Sequence, residues 1–175
     1  IGPNGGKKIN IQSKISLKTN RAGKNNYTAN VSFVEKNIIR VLKGPQFDYF
    51  SELSKKEFFS KEYKITNLTD RMGMRLEGKI LKNIVSTNIR SEGITKGAIQ
   101  VPADGQPIVL LTDHPTIGGY PKIANVISAD YDLLVQKIPG TNISFKCIEL
   151  QEAEKLYKEW CSNISKIVKN IKKIK

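Results

Sequence analysis

The chain has 175 residues and carries 29 Lys and Arg against 16 Asp and Glu, a formal charge of +13. An apolar share of 39% with six Phe, six Tyr and one Trp describes a folded domain with a sizeable core rather than a disordered chain. No run approaches the ~20 apolar residues of a membrane-spanning helix, and one histidine with two distant cysteines builds neither a His-based metal cluster nor a CxxC site.

The charge is uneven. Residues 1–36 carry +6, 37–79 carry +3, 80–150 are neutral and 151–175 carry +4. A basic end can bind phosphates. Here, however, 24 of the basic residues are Lys rather than the bidentate Arg, and Asn and Ile are abundant too. That pattern reads as drift across a permissive surface, so no nucleic acid is expected as a partner. Residue 1 is Ile, so the sequence is expected to start partway through a longer protein. The cysteines Cys147 and Cys161 form no disulfide framework, which makes the cytoplasm the default compartment.

Residues 1–36 read as a connecting segment. Ile9, Ile11, Ile15 and Leu17 suggest one short strand, and Tyr27–Phe33 alternates apolar and polar residues as a half-buried strand does. Asn37–Leu42 is predicted as a strand stopped by Gly44-Pro45, and Phe47–Phe59 as one or two helical turns. Further strands are predicted at Tyr63–Thr66, Met74–Leu76, Ile84–Ser86, Ala98–Val101, Ile108–Thr112, Ile123–Ser128 and Ile143–Ile148. A short helix over Asp130–Ile138 ends at Pro139-Gly140. Short strands broken by Gly and Pro argue for a mainly β barrel over residues 37–150.

From Gln151 to residue 175 the period becomes helical. Ala153, Leu156, Tyr157, Trp160, Cys161, Ile164, Ile167, Val168, Ile171 and Ile174 share one face. Glu152 and Glu154 open that helix and lysines close it, in keeping with its dipole. We expect it to dock on its own barrel; the other reading is a basic amphipathic helix for a membrane or a partner.

Chemistry concentrates in residues 93–121, which hold nine of the twenty Gly and Pro. Among them stand Gln100, Asp104, Gln106, Asp113, His114, Thr116 and Tyr120, with Lys122 just beyond. Such turns can converge backbone N–H groups on an anion, or can simply be tight barrel turns. Asp113-His114 shows no nucleophile at a defined spacing, so His114 reads as a turn residue. Gly2–Lys7 lacks the spacing of a phosphate loop. Arg71 and Arg75 stand four apart in a chain with five arginines, either as an anion clamp or as partners of Asp70 and Glu77.

These residues carry a resemblance. Arg71-Met72-Gly73-Met74-Arg75-Leu76-Glu77-Gly78 resembles the "RMGYRLEG" segment of the family formed by the C subunits of 5-oxoprolinase, also called biotin-dependent carboxyltransferase or allophanate hydrolase subunit 2. Ser91-Glu92-Gly93-Ile94, the run Gly97–Pro107 ("GAIQVPADGQP") and Gly118–Ala124 ("GGYPKIA") continue it, as does Ile127–Asp130. Upstream, Arg40-Val41-Leu42 and Gly44-Pro45-Gln46 with Asp48 are similar to the family's "RVLPGPQxD". Residues 1–39 match loosely, and the family's glycine-rich "QDLGRxG" region is absent, so the chain resembles the C-terminal half of such a protein.

The resemblance implies a cyclophilin-like β-barrel with a few short helices and a C-terminal amphipathic helix. It implies an ATP-dependent hydrolase that opens 5-oxoproline to glutamate together with the A and B subunits of 5-oxoprolinase. Alternatives within the family are biotin-dependent carboxyl transfer to a small amide, as in urea amidolyase, and antagonism of a kinase-inhibitor partner. Side-chain chemistry and motif membership assign amide orientation to Gln100, Asp104 and Gln106. They assign anion or substrate binding to Arg71, Arg75, Thr116, Gly118, Gly119, Tyr120 and Lys122, with no metal.

Overall fold

A computed structural model describes residues 26–28 and 36–174. The expected strand at 9–17 and most of Tyr27–Phe33 lie outside the described residues. The chain divides into two compact units, residues 32–165 and a second one combining 1–31 with 166–175. In the second unit, β1 (Asn26–Thr28) pairs antiparallel with β11 (Lys172–Ile174).

The larger unit is a closed seven-stranded barrel. Its strands are β2 (Ile38–Lys43), β3 (Tyr63–Ile65), β4 (Gly73–Glu77), β6 (Ala98–Gln100), β7 (Ile108–Leu110), β9 (Lys122–Val126) and β10 (Asn142–Cys147). They run around the barrel in the order β10, β2, β9, β6, β7, β4, β3, and β3 closes back on β10. All neighbours are antiparallel except β10 and β2, which are parallel with Ser144 opposite Ile38 and Phe145 opposite Ile39. A two-stranded ribbon of β5 (Glu92–Gly93) and β8 (Ile117–Gly118) stands as a separate sheet.

Alternation fills the barrel. On β2 the inward Ile39 and Val41 are fully buried, and on β4 Met74 and Leu76 are buried between exposed neighbours. Helix α1 (Glu52–Ser60) begins at Ser51, whose Oγ accepts the Ser54 amide at 3.2 Å. Its Phe58 stacks on Phe145 with ring centroids 4.7 Å apart, and Tyr63 leans on both. Burial pushes the Tyr63 phenol well above its usual range. Phe58→Ala is expected to cost about 3–5 kcal/mol in a denaturant titration, because this ring is fully enclosed. A loss under ~1 kcal/mol would mean that the site collapses around the gap.

Among the described residues from 36 onward, the predicted strands recur with shifted ends, save one. Ile84–Ser86 is a loop in which Ile84 and Val85 are exposed, and a single bridge joins Asn83 to Phe50. The barrel closes through other strands, so this segment has no ladder to join. Helix α2 (Ser128–Val135) stops before the predicted Ile138. Helix α3 (Leu150–Lys169) starts as expected but ends at Asn170, whose N–H bonds back to Lys166 and Ile167, and the last residues turn to strand. The first turns of α3 dock on the barrel, where Ala153 and Leu156 pack with Ile127, Ile148 and Leu42. Tyr157 and Ile164 remain exposed, so docking is narrower than the apolar face foretold. Among the described residues no helix is long and apolar enough to cross a membrane.

Candidate active site

Four of the sequence motifs meet at one place. Lys122 opens β9 at the end of Gly118–Ala124, and only 5% of it is exposed. Burying an ammonium demands a counter-ion. Glu92 of β5 supplies it: Lys122 Nζ binds Glu92 Oε1, and Gln46 Nε2 donates to the same oxygen at 2.6 Å. Gln46 is locked in turn, since its Oε1 accepts the Lys122 amide at 3.2 Å and its own amide bonds the Lys122 carbonyl at 3.3 Å.

That pair of hydrogen bonds between Gln46 and Lys122 needs the chain to turn hard against β9. Gly44 makes the turn: a Cβ there would overlap the Lys122 carbonyl oxygen and lie 2.8 Å from the Ala124 nitrogen. Only a residue with no side chain fits so close to backbone.

Gln100, buried at the end of β6, forms the neighbouring wall and donates its Nε2 to the Tyr120 carbonyl at 3.5 Å. A Cβ at Gly118 would stand 2.8 Å from that nitrogen, so glycine leaves room for the amide. Gly118 also faces Glu92 across the β5–β8 ribbon. Gln46, Glu92, Gln100, Gly118, Tyr120 and Lys122 therefore form one connected polar cluster. The Lys122 bond, helped by the Gln46 amide and the Lys122 charge, holds the Glu92 carboxyl below its ordinary range against the opposing effect of burial. Glu92 is ionised at neutral pH, and the pair persists on acidification until the proton returns below that range.

The other candidates lie apart from this cluster's bonds. Asp104 Oδ1 accepts the Gln106 amide at 3.0 Å. Gln106 spends its carboxamide on Gly78, accepting from N–H at 2.9 Å and donating to the carbonyl at 3.2 Å. Asp104 thus braces the turn before β7, and Gln106 fastens that turn to the end of β4. Arg71 is exposed and pairs with Asp113 at 2.7 Å. Arg75 sits on the outer face of β4. Asp70 caps the turn between them, its carboxyl held low by the Gly73 and Met72 amides and, more weakly, by the charge of Arg75. The Thr116 carbonyl accepts the Ile94 amide at 3.1 Å and the Gly119 carbonyl the Ile89 amide at 2.9 Å. His114 Nδ1 lies 2.6 Å from the Pro115 carbonyl in a turn, and among the described residues no hydroxyl or thiol bonds the ring.

Gln46 and Glu92 were not among the residues singled out from the sequence. Both stand in quoted motifs, Gly44-Pro45-Gln46 and Ser91-Glu92-Gly93-Ile94. The signal that could have found them is the buried lysine, which had to have a partner.

The motif residues that converge here match a known domain: the family described as "Carboxyltransferase domain, subdomain A and B" matches residues 1–147. The chain belongs to this family. It is 42% identical over 119 residues to the C subunit of 5-oxoprolinase from Escherichia coli, covering 68% of this chain and 38% of that protein. It is 40% identical over 121 residues to the corresponding C subunit from Haemophilus influenzae, covering 69% of this chain and 39% of that protein. The chain thus spans about two fifths of the length of these relatives. The crystal structure of the urea amidolyase of K. lactis superposes with a TM-score of 0.73 at 26% identity, over 78% of this chain and 9% of that one. The mainly β barrel expected from the sequence is the observed architecture.

Proposed function

We propose that this chain is the amide-holding part of a 5-oxoprolinase C subunit, working with the A and B subunits to open the lactam of 5-oxoproline to glutamate. The observation that carries the reading is the convergence of Gln46, Glu92, Gln100 and Lys122, drawn from four separate motifs, in a chain 42% identical to a protein of that name.

Lactam opening breaks the ring C–N bond, adds water, and leaves a carboxylate and an amine. Negative charge builds on the carbonyl oxygen as the nucleophile adds, and donors placed in advance stabilise it. Lys122 brings a buried positive charge to bind the substrate, held in place by Gln46 and Glu92. Gln100 is fixed through its Nε2 with its Oε1 on the other side, an orientation suited to accepting a lactam N–H. ATP supplies the driving force when bound by the complex. The described residues offer no glycine-rich phosphate cradle, so the nucleotide is assigned to the partners rather than to this chain.

A second reading, carboxyl transfer from biotin to a small amide, draws on the superposition with urea amidolyase. A ureido ring offers the same paired N–H and C=O as a lactam, so the Gln100 and Lys122 wall suits it equally.

The test uses the full-length protein assembled with the A and B subunits. ATP-dependent glutamate release from 5-oxoproline is expected, and Lys122→Met should lower kcat/KM by roughly 10²-fold, the usual cost of losing a buried charge-assisted contact to the substrate. Turnover within about threefold of wild type, under ~1 kcal/mol of barrier, would remove Lys122 from the chemistry. A stable complex that forms no glutamate but carboxylates urea in the presence of bicarbonate and a biotinylated carrier would establish the second reading instead.

A further inference from the structure

The bond between Lys122 and Glu92 joins two unequal partners. The Lys122 side chain is 6% exposed and belongs to a barrel strand, whereas the Glu92 side chain is 42% exposed and belongs to a two-residue strand outside the barrel. Gln46 Nε2 points at the same carboxylate oxygen as the ammonium, and Gln46 itself is fixed by two bonds to the Lys122 backbone. Ammonium and amide thus form a rigid two-donor seat for one carboxylate oxygen, and the group that occupies it comes from a two-residue strand outside the barrel. Beside Glu92, Gly93 has no heavy atom within 4 Å of where a Cβ would stand, so that backbone has space to move.

We infer that Glu92 is an exchangeable occupant, and that Lys122 Nζ and Gln46 Nε2 form an anion subsite for the carboxylate of the substrate. The inference rests on the proposed site and deepens it: the preferred substrates are small amides that also bear a carboxylate. On binding, the incoming carboxylate accepts from Lys122 and Gln46 while Glu92 swings into solvent on the β5–β8 ribbon. The buried charge stays paired throughout, which avoids the high cost of an unpaired buried ammonium. The incoming anion must outcompete an internal one, so an uncharged amide cannot open the seat.

The experiment measures binding to the full-length protein by calorimetry, with 5-oxoproline, its carboxylate-free analogue 2-pyrrolidone, and acetate as probes. Glu92→Gln and Glu92→Asp both weaken the internal occupant, the second while keeping its charge. Each is expected to bind acetate and 5-oxoproline at least tenfold more tightly than wild type, with 2-pyrrolidone unchanged, and adding Lys122→Met should abolish the gain. Equal or weaker acetate binding in both variants would overturn the subsite, as would failure of both to fold, since a group the fold requires is not exchangeable. The acetate result is independent of turnover. A complex that releases no glutamate while Glu92→Gln gains acetate affinity would sink the proposed reaction and leave the subsite standing. Normal turnover without the acetate gain would do the reverse.

Discussion

Asp130→Ala is expected to destabilise the protein by about 3–5 kcal/mol, the usual result of removing one partner from a buried ion pair. Asp130 is 3% exposed in the first turn of α2, and its carboxylate takes three bonds from a single residue of β2. The Arg40 backbone N–H and Nε both donate to Oδ2 at 2.9 Å, and Nη2 binds Oδ1. Deletion would strand a guanidinium and an amide together. Asp130 and, more weakly, Glu152 and Glu159 keep the Arg40 proton more firmly bound than usual, against the effect of burial. Chemical denaturation with unchanged m-value would check the figure. A loss under ~1 kcal/mol would mean that water reaches Arg40 and replaces the carboxylate. Arg40→Lys should recover only part of the energy, since an ammonium cannot reproduce the fork.

Gly44→Ala combines a structural and a catalytic effect. Its methyl would overlap the Lys122 carbonyl and crowd the backbone of Ile123 and Ala124, so main chain rather than a side-chain tip must move. The bonds at risk are Gly44 N–H to the Ile123 carbonyl at 2.9 Å and the two between Gln46 and Lys122. A cost of about 3 kcal/mol or more is expected, in the upper range for point substitutions. Because the shift falls on Lys122, the proposed lactam turnover of the assembled full-length protein should drop more than global stability would suggest. Comparing thermal midpoint with kcat at a temperature where the variant is still folded separates the two. A variant that folds normally and turns over normally would show that Lys122 needs no such fixing.

The strands were legible because their cores alternate: Ile39 and Val41, or Met74 and Leu76, obey a period of two on a half-buried surface. Ile84–Ser86 misled because two β-branched residues in a row, Ile84 and Val85, look the same whether or not an edge awaits them, and edges are settled by closure of the whole barrel. The end of α3 was hidden for a similar reason. Ile171 and Ile174 continue the helical period, while the pairing of β11 with β1 lies in tertiary structure. At the site, composition drew attention to glycine-rich turns, and Gln100, Gly118, Tyr120 and Lys122 lie there. The same density of turns also drew in Asp104 and Gln106, whose polar groups serve backbone. Glu92 was unmarked because a carboxylate in sequence looks like any surface charge; only the burial of Lys122 reveals what it neutralises.

The parallel seam between β2 and β10 bears on how the chain is made. Ile38 must wait for Ser144, about a hundred residues later, before its outer edge is filled, which at ribosomal speeds of about 5–20 residues per second is roughly 5–20 s. Throughout that interval β2 presents open backbone donors and acceptors to any other nascent strand. Synthesis that pauses before Asn142 should therefore yield insoluble polypeptide, whereas release just after Cys147 should not. Chaperone demand would track the position of the pause rather than the length of chain already made.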